Sequence, residues 1–319
     1  MKRTILIKQQ GFTLIELLIV MFMLGLVTMA LYSLYTTHQR SAYVQDEVVE
    51  VQQNLRIAMD KITNDVRMAG LFIPSPATAT FNAFPVQATG DAAGVANSDT
   101  LTLNSESSFH IFATITLSAT PVFNVAYTDS VDAFNIGDTV RIIRANSKTQ
   151  PGGNCTYKVA GTQRIPPQIT LGPDTTSCNS APAGTFLAND VIVRVESNGI
   201  YPVTITYCLG SQTGVAGCGG AIATCPSAPD LCLMRILNIG TANQVSQLIA
   251  QNMSGLQIGY LMNLPFSVAE ASSLVNPVDV LKMRAVRVTL VGRTVKTTGL
   301  SDKTAKQRQL ESVIGFKEL

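Results

Sequence analysis

The sequence has little charge and no tryptophan. Charged residues make up 14% of its 319 residues, against the roughly 25% that is typical of soluble globular domains. The net charge is +2, and Lys2, Arg3 and Lys8 account for the excess, since the rest of the chain is close to neutral. No extended basic surface is therefore expected to bind nucleic acid nonspecifically. This composition suits a secreted β-rich surface better than a cytosolic enzyme.

Motifs of common enzymes are also missing. The chain has no Walker A sequence, no Gly-x-Ser-x-Gly and no acidic loop with the spacing of a calcium site. Its two histidines are His38 and His110. A Ser–His–Asp site would have to use His110, but the surrounding FHIFATI predicts a strand with a half-buried structural histidine. We expect no enzymatic activity, no cofactor and no metal site.

Cysteines are absent from the first 154 residues and cluster in the middle of the chain. The six are Cys155, Cys178, Cys208, Cys218, Cys225 and Cys232. An even number among Gly, Pro, Asn and Ser predicts disulfides formed in an oxidising compartment. A zinc site is the alternative, but no pair has the short spacing of structural zinc ligands. The shortest loops favour Cys155–Cys178, Cys208–Cys218 and Cys225–Cys232, although six cysteines allow many other pairings.

A long apolar segment follows the basic N-terminus. Between Phe12 and Thr37 the only formal charge is Glu16, and this run is longer than the roughly 20 residues that a helix needs to cross a bilayer. It is also too long for a secretory signal peptide. The basic residues before it predict a cytoplasmic N-terminus. The segment therefore predicts a single-pass membrane helix.

Glu16 is unusual in such a helix. A carboxylate inside an apolar membrane segment costs on the order of 3 kcal/mol, so it needs a partner. An ordinary membrane anchor would account for every other feature of the segment. The string GFTLIELLIV, which begins at Gly11 after a basic leader, resembles the type III signal of type IV prepilins.

This resemblance implies how the N-terminus is processed and used. A prepilin peptidase on the cytoplasmic face would remove the leader, residues 1–11, by cleaving after Gly11. The new terminus at Phe12 would be N-methylated. Glu16 would meet the α-amino group of a neighbouring subunit, and two charges that are each costly in lipid become tolerable as a pair.

The helical pattern continues beyond the membrane segment. Apolar residues recur every three or four positions and form one stripe, with polar residues such as Asp65 outside it. The stripe consists of Val44, Val48, Val51, Leu55, Met59, Ile62, Val66 and Ala69. Gly70 lies where a C-cap glycine is preferred, and Pro74 prevents the helix from resuming. We expect a long helix over 12–70, of which 12–37 crosses the membrane.

The stripe has two possible uses. It could form a two-stranded coiled coil, but it is shorter than four heptads, so packing on a sheet of the same chain is favoured. The helix end, NDVRMAGLF, resembles that of PilW-type minor pilins, in which an acid-x-Arg-x-Ala-Gly sequence closes the long helix. In this sequence the matching residues are Asp65, Arg67, Ala69 and Gly70.

Residues 71–319 carry the signals of a β-rich periplasmic domain. Apolar and β-branched runs predict strands at 99–103, 109–117, 138–143, 190–195, 201–207, 231–239, 245–262 and 283–294. The last two resemble the closing strands of PilW-type chains. The long stretch Gly210–Pro229 contains Cys218 and Cys225 and is expected to depend on its crosslinks. The predicted fold is α+β and type IV pilin-like: the long helix packed on an antiparallel sheet with disulfide-linked loops.

The sequence thus predicts a PilW-type minor pilin that takes part in type IV pilus assembly or priming, near the tip. Its partners would be the prepilin peptidase, other minor and major pilins, and the assembly machinery of the inner membrane. The protein would sit in the inner membrane with a periplasmic C-terminal domain, and on the surface pilus after assembly. A J-type pseudopilin of a type II secretion system is the main alternative, and an adhesive pilus subunit is a further one.

Overall fold

The chain separates into two compact units, residues 1–50 with 294–306 and residues 51–293 with 307–319. The structure is a computed structural model that describes residues 13–73, 86–87, 98–147, 149–151, 153, 155–174, 182, 185–196, 202–213, 218, 223–226, 230–264, 267–271, 283–294 and 305–316.

Two helices and thirteen strands lie within the described residues. They are α1 (Leu14–Met68), β1 (Leu101–Ser105), β2 (Phe112–Ala119), β3 (Val122–Val125), α2 (Thr128–Asp132), β4 (Thr139–Arg144), β5 (Tyr157–Gln163), β6 (Gln168–Pro173), β7 (Asp190–Arg194), β8 (Val203–Gly210), β9 (Leu231–Leu237), β10 (Val245–Leu264), β11 (Ser267–Ala271), β12 (Met283–Arg293) and β13 (Gln307–Gly315).

Helix α1 is a single helix of 55 residues. Its N-terminal part is long and apolar enough to cross a membrane, and that part is not buried against the protein. From Val51 onward the predicted stripe is buried, with Ile62 and Val66 fully inaccessible. Burial of each such aliphatic side chain stabilises the folded state by roughly 1.5–3 kcal/mol. The stripe therefore packs on the chain's own sheet, as the sequence predicted.

The end of α1 is formed by a glycine in the left-handed region. Gly70 has φ 77°, and its N–H donates to the carbonyl oxygen of Asn104 at 2.9 Å. A left-handed residue after the last helical turn is the common way to close a helix, and glycine adopts it without steric cost. The predicted C-cap is therefore present. The neighbouring Asp65, which the pattern placed on the polar face, is instead fully buried.

The larger sheet has seven antiparallel strands in the order β1-β8-β9-β10-β12-β13, with β11 beside β10. Alternate residues of β12 face helix α1: Val286, Val288 and Leu290 are buried. The helix lies close to the sheet at Gly292, where a Cβ would be only 2.7 Å from Val51 Cγ1. A glycine at this position lets the two backbones approach.

A second β-structure is inserted between β1 and β8. Strands β2, β3, β6, β5, β4 and β7 form a small closed barrel, filled by its own apolar core, which includes Ile115, Phe123, Ile142, Ile169 and Leu171. The sequence predicted strands near β2, β4 and β7 but not the barrel. Closure depends on pairing between β2 and β7, which lie far apart in the chain, and no local pattern encodes such a pairing.

The barrel leaves the larger sheet uninterrupted. Strand β1 ends at Ser105, which pairs with Val203, the first residue of β8. The two strands are therefore direct neighbours at the points where the chain departs for the barrel and returns from it. The fold is α+β and type IV pilin-like, as predicted, with an additional barrel.

Disulfides connect the loop between β8 and β9 to these two strands. Among the described residues the bonds are Cys208–Cys218 and Cys225–Cys232, two of the three pairs that the shortest loops favoured. Cys155 is also disulfide-bonded, and Cys178 lies outside the described residues. Cys208, Cys218, Met234 and Ile236 form a small buried cluster, so the first disulfide joins loop and strand over an apolar patch.

Candidate functional site

The N-terminal segment contains the predicted processing and assembly residues. Gly11 and Phe12 lie outside the described residues. Glu16 lies in the first turn of α1, with its side chain exposed.

The side chain of Thr13 caps the first turn of α1. The backbone N–H of Glu16 donates to Thr13 Oγ1 at 3.3 Å, and the Thr13 hydroxyl donates to Glu16 Oε2 at 3.5 Å. Thr13 thus satisfies one of the N–H groups that a helix start leaves without an intrahelical partner. The Thr-x-x-Glu spacing within GFTLIE is a sequence signal for this cap.

Three threonines of the apolar part bond to the helix backbone. The hydroxyl of Thr28 donates to the carbonyl oxygen of Gly25 at 3.2 Å. Those of Thr36 and Thr37 donate to the carbonyl oxygen of Ser33 at 3.0 and 2.9 Å. Such bonds allow hydroxyl groups to lie in an apolar surrounding without losing hydrogen bonds. Glu16, in contrast, is a formally charged side chain, and no other lies between Thr13 and Thr37.

Comparison with known families identifies this segment. Residues 6–32 match the prokaryotic N-terminal methylation motif. The chain carries a type IV pilin-like signal. No curated protein and no solved structure matches the chain significantly.

The methylation motif supports a type IV pilin-like protein, a description that covers both pilins and pseudopilins. Such a signal implies processing by a prepilin peptidase and assembly with other pilin-like subunits. It favours a structural subunit over an enzyme. An apolar helix behind the signal is consistent with membrane anchoring.

A second polar site, the Asp65 cluster, lies at the other end of α1. It consists of Asp65, Glu106, His110, Tyr207 and Arg235. The Oδ2 atom of Asp65 accepts hydrogen bonds from Tyr207 Oη and Arg235 Nε, both at 2.6 Å. Its Oδ1 atom lies 2.9 Å from His110 Nε2. The cluster therefore joins the helix to strands β8 and β9 and to the linker between β1 and β2.

His110 bridges two carboxylates. Its Nδ1 atom lies 3.1 Å from Glu106 Oε1, opposite the contact of Nε2 with Asp65. Both ring nitrogens donate at once only in the protonated imidazolium. A third basic group, Lys61 Nζ, lies 3.5 Å from Asp65 Oδ1 at the half-exposed edge of the cluster. Asp65 and Glu106 are thus contacted by His110, and Asp65 also by Arg235 and Lys61. Paired and hydrogen-bonded charges are the form in which ionic groups tolerate burial.

The pKa values of the cluster follow from burial and these contacts. Burial opposes the ionised form of Asp65, but the bonds from His110, Arg235 and Tyr207 hold its pKa well below the usual range. Burial also opposes the imidazolium, yet the contacts with Asp65 and Glu106 raise the pKa of His110 to about 9. Burial, followed by the charge of Asp65, raises the pKa of Tyr207 well above its ordinary value. At neutral pH the groups are therefore a carboxylate, an imidazolium and a phenol.

The cluster contains a Ser–His–Asp arrangement that lacks an accessible nucleophile. Ser105 Oγ lies 3.5 Å from His110 Nδ1, and Asp65 contacts the other ring nitrogen. However, Ser105 is fully buried, and its hydroxyl donates to Glu106 Oε2 at 2.8 Å. A substrate cannot reach a nucleophile in this position, so the geometry favours the structural role predicted for His110.

Sequence reasoning missed most of this cluster. His110 was expected in a strand, but β2 begins at Phe112 and the histidine precedes it. Glu106, Tyr207 and Arg235 were not singled out. Arg235 had a usable signal, since it is the single charge in the apolar strand LCLMRIL, and a charge within such a strand is buried only with a partner.

Proposed function

We propose that this chain is a PilW-type minor pilin that takes part in type IV pilus assembly or priming, near the tip of the fibre. The observation that carries the proposal is the methylation motif at residues 6–32, placed at the start of a 55-residue helix. The PilW-type assignment is supported by the helix end, Asp65-x-Arg67-x-Ala69-Gly70. Asp65 and Gly70 of this string have specific roles there, one as a buried ion-pair partner and one as the C-cap.

In this proposal the first part of α1 has two successive environments. Residues 12–37 first hold the protein in the inner membrane as a single-pass helix, with residues 71–319 on the periplasmic side. The prepilin peptidase removes residues 1–11, and the new terminus at Phe12 is N-methylated. The exposed apolar surface of the helix then packs against other pilins in the fibre. Glu16 pairs there with the α-amino group of a neighbour, which removes two isolated charges from an apolar surrounding.

Cleavage can be tested by replacing one glycine. Gly11→Ala should leave the full-length chain in the membrane, because the cleaved bond follows this residue. Gly25→Ala is a matched control, since it lies in the same segment and a Cβ there meets nothing within 4 Å. The measurement is the intact mass of the protein from isolated membranes. A Gly11→Ala chain that still lost residues 1–11 would contradict the proposal.

The assembly role of Glu16 requires a variant that is still processed. Glu16→Gln keeps the shape of the side chain and removes its charge, so we expect normal cleavage but reduced recovery in sheared fibres. Glu50→Gln, on the exposed surface of the same helix, is the control. Equal recovery of the Glu16→Gln and wild-type chains in fibres would remove Glu16 from the mechanism.

A deletion separates a minor pilin from a J-type pseudopilin. Loss of surface pili with intact secretion of folded exoproteins is expected for a minor pilin. The opposite result, intact pili and lost secretion, would assign the chain to a type II secretion system and overturn the pilus proposal.

A further inference from the structure

The barrel is joined to the rest of its unit through a short polar linker. Strand β1 ends at Ser105 and β2 begins at Phe112. Between them, the Ser108 N–H donates to Glu196 Oε1 at 2.7 Å. The guanidinium of Arg194 lies 4.4 Å from the centre of the Phe109 ring. The linker is therefore held against the chain that leaves the barrel after β7.

The apolar contact at this junction is smaller than either of the two main cores. Phe72, just after helix α1, packs edge-to-face on Phe112 with ring centres 5.4 Å apart, and it shares a buried cluster with Ile143, Val191, Val193 and Val195. The core of the barrel and the core between helix and sheet are otherwise separate. Two structures with separate cores and a limited contact can change their relative orientation unless other contacts prevent it.

His110 has a strained backbone within the linker. Its φ is 55°, in the left-handed region that non-glycine residues adopt infrequently and at a cost. Such a conformation persists when the surroundings determine it. Here the surroundings are two carboxylates, Asp65 on helix α1 and Glu106 at the start of the linker, which hold the two ring nitrogens.

Among these contacts, the His110 side chain is the one that connects helix α1 directly to the two ends of the linker. We propose that His110 fixes the orientation of the barrel relative to helix α1 and the larger sheet, and that residues 106–111 act as a hinge when its carboxylate contacts are lost. The bridge connects the helix directly to the linker, so a rotation of the barrel about the linker would pull His110 away from Asp65. Loss of the bridge would also let the backbone at His110 leave the left-handed region.

His110→Asn separates the bridge from the backbone conformation. Asparagine adopts the left-handed region readily, but its side chain is too short to span Asp65 and Glu106. The experiment uses the full chain in detergent, with nitroxide-bearing noncanonical residues at positions 60 and 119, both exposed and located on α1 and at the end of β2. Pulsed electron spin resonance then measures the distance between helix and barrel.

We expect a single narrow distance distribution for the wild-type chain. For His110→Asn we expect a distribution that is broader or shifted. His38→Asn, on the exposed part of α1, should keep the narrow distance. Hydrogen exchange of β2–β7 should be the same in all three chains, because the barrel core does not include His110. The exchange measurement distinguishes a folded barrel that has changed its orientation from a barrel that has unfolded.

A folded His110→Asn chain with the wild-type distance distribution would overturn the proposal. If His110→Asn does not fold, Glu106→Gln removes only the charge that faces Nδ1, and the same broadening is expected. Failure of both variants to fold would also overturn the proposal, since the cluster would then be required for the whole fold rather than for the orientation of the barrel.

Discussion

Arg235 Nε lies 2.6 Å from Asp65 Oδ2, although the two residues are 170 positions apart in the chain. Both side chains are buried: the Asp65 side chain is 0% exposed and that of Arg235 is 2% exposed. The pair therefore connects the last turns of helix α1 to the middle of the larger sheet. An acid near a helix C-terminus is unfavourable for the helix alone, so its presence here is explained by the cations around it.

Asp65→Asn should strongly destabilise the protein. The change leaves Arg235 buried without its carboxylate partner and His110 with Glu106 alone, and breaking a buried pair in this way costs about 3–5 kcal/mol. Asp60→Asn is the matched control, because Asp60 lies on the same helix and is exposed. Urea unfolding of the full chain in detergent gives the comparison. Similar midpoints for both variants would show that the pair adds nothing to stability.

Stability should fall at alkaline pH because His110 loses its proton. Its folded-state pKa of about 9 lies above the unfolded value of about 6.5. The protonated imidazole therefore contributes on the order of 3 kcal/mol to the free energy of unfolding. This contribution is complete below about pH 6.5 and is lost as the pH rises through about 9. Unfolding free energies measured from pH 6 to 10 would show the decline.

Two other titratable groups of the Asp65 cluster do not produce the same decline. Asp65 stays ionised from about pH 6 to 10, because its pKa is held well below the usual range. Tyr207 stays protonated, because its pKa is raised well above its ordinary value. His110→Gln should flatten the profile and His38→Gln should not. An unchanged decline in His110→Gln would assign the effect to another group.

Gly292→Ala should destabilise the packing of helix on sheet. The new Cβ would lie 2.7 Å from Val51 Cγ1 and 3.4 Å from the carbonyl oxygen of Asn252, and overpacking of this kind costs about 1–3 kcal/mol. Gly161→Ala, where a Cβ meets only ordinary contacts at 3.9 Å, should be neutral or slightly stabilising. Adding Val51→Ala to Gly292→Ala should recover part of the loss in denaturant unfolding. A neutral Gly292→Ala would refute the close approach.

Loss of the Cys208–Cys218 bond should lower stability by about 2–3 kcal/mol, as expected for a short closed loop. Replacement of both cysteines by serine, compared with the wild-type chain in thermal unfolding, measures this. Mass spectrometry of the non-reduced, protease-digested protein should recover linked peptides containing Cys208 with Cys218 and Cys225 with Cys232. Linked peptides in any other combination of these four would contradict the pairing.

Sequence patterns predicted the features that depend on neighbouring residues. The apolar stripe from Val51 onward and the cap at Gly70 each follow from residues within a few positions, and both are present. The methylation motif is equally local, which is why the segment around Glu16 could be recognised from the sequence. Most predicted strands lie within a few residues of the observed ones for the same reason.

Features that depend on distant residues were not predicted. The helical pattern placed Asp65 on the polar face of the helix. The side chains that bury it, His110, Tyr207 and Arg235, lie 45, 142 and 170 positions away in the chain. A carboxylate tolerates burial only when the folded chain places such partners beside it. The spacing of residues along the helix does not show whether this happens. Closure of the barrel was missed for a similar reason, since it depends on the pairing of β2 with β7, which lie far apart in the chain.

The pairing of Ser105 with Val203 has a consequence for the origin of this architecture. Because the two residues face each other across adjacent antiparallel strands, residues 106–202 occupy the place of a hairpin turn. A simple turn at the same two residues would leave every strand pair of the larger sheet unchanged. The larger sheet and the long helix can thus stay the same while evolution, or a protein engineer, exchanges the inserted barrel for another structure.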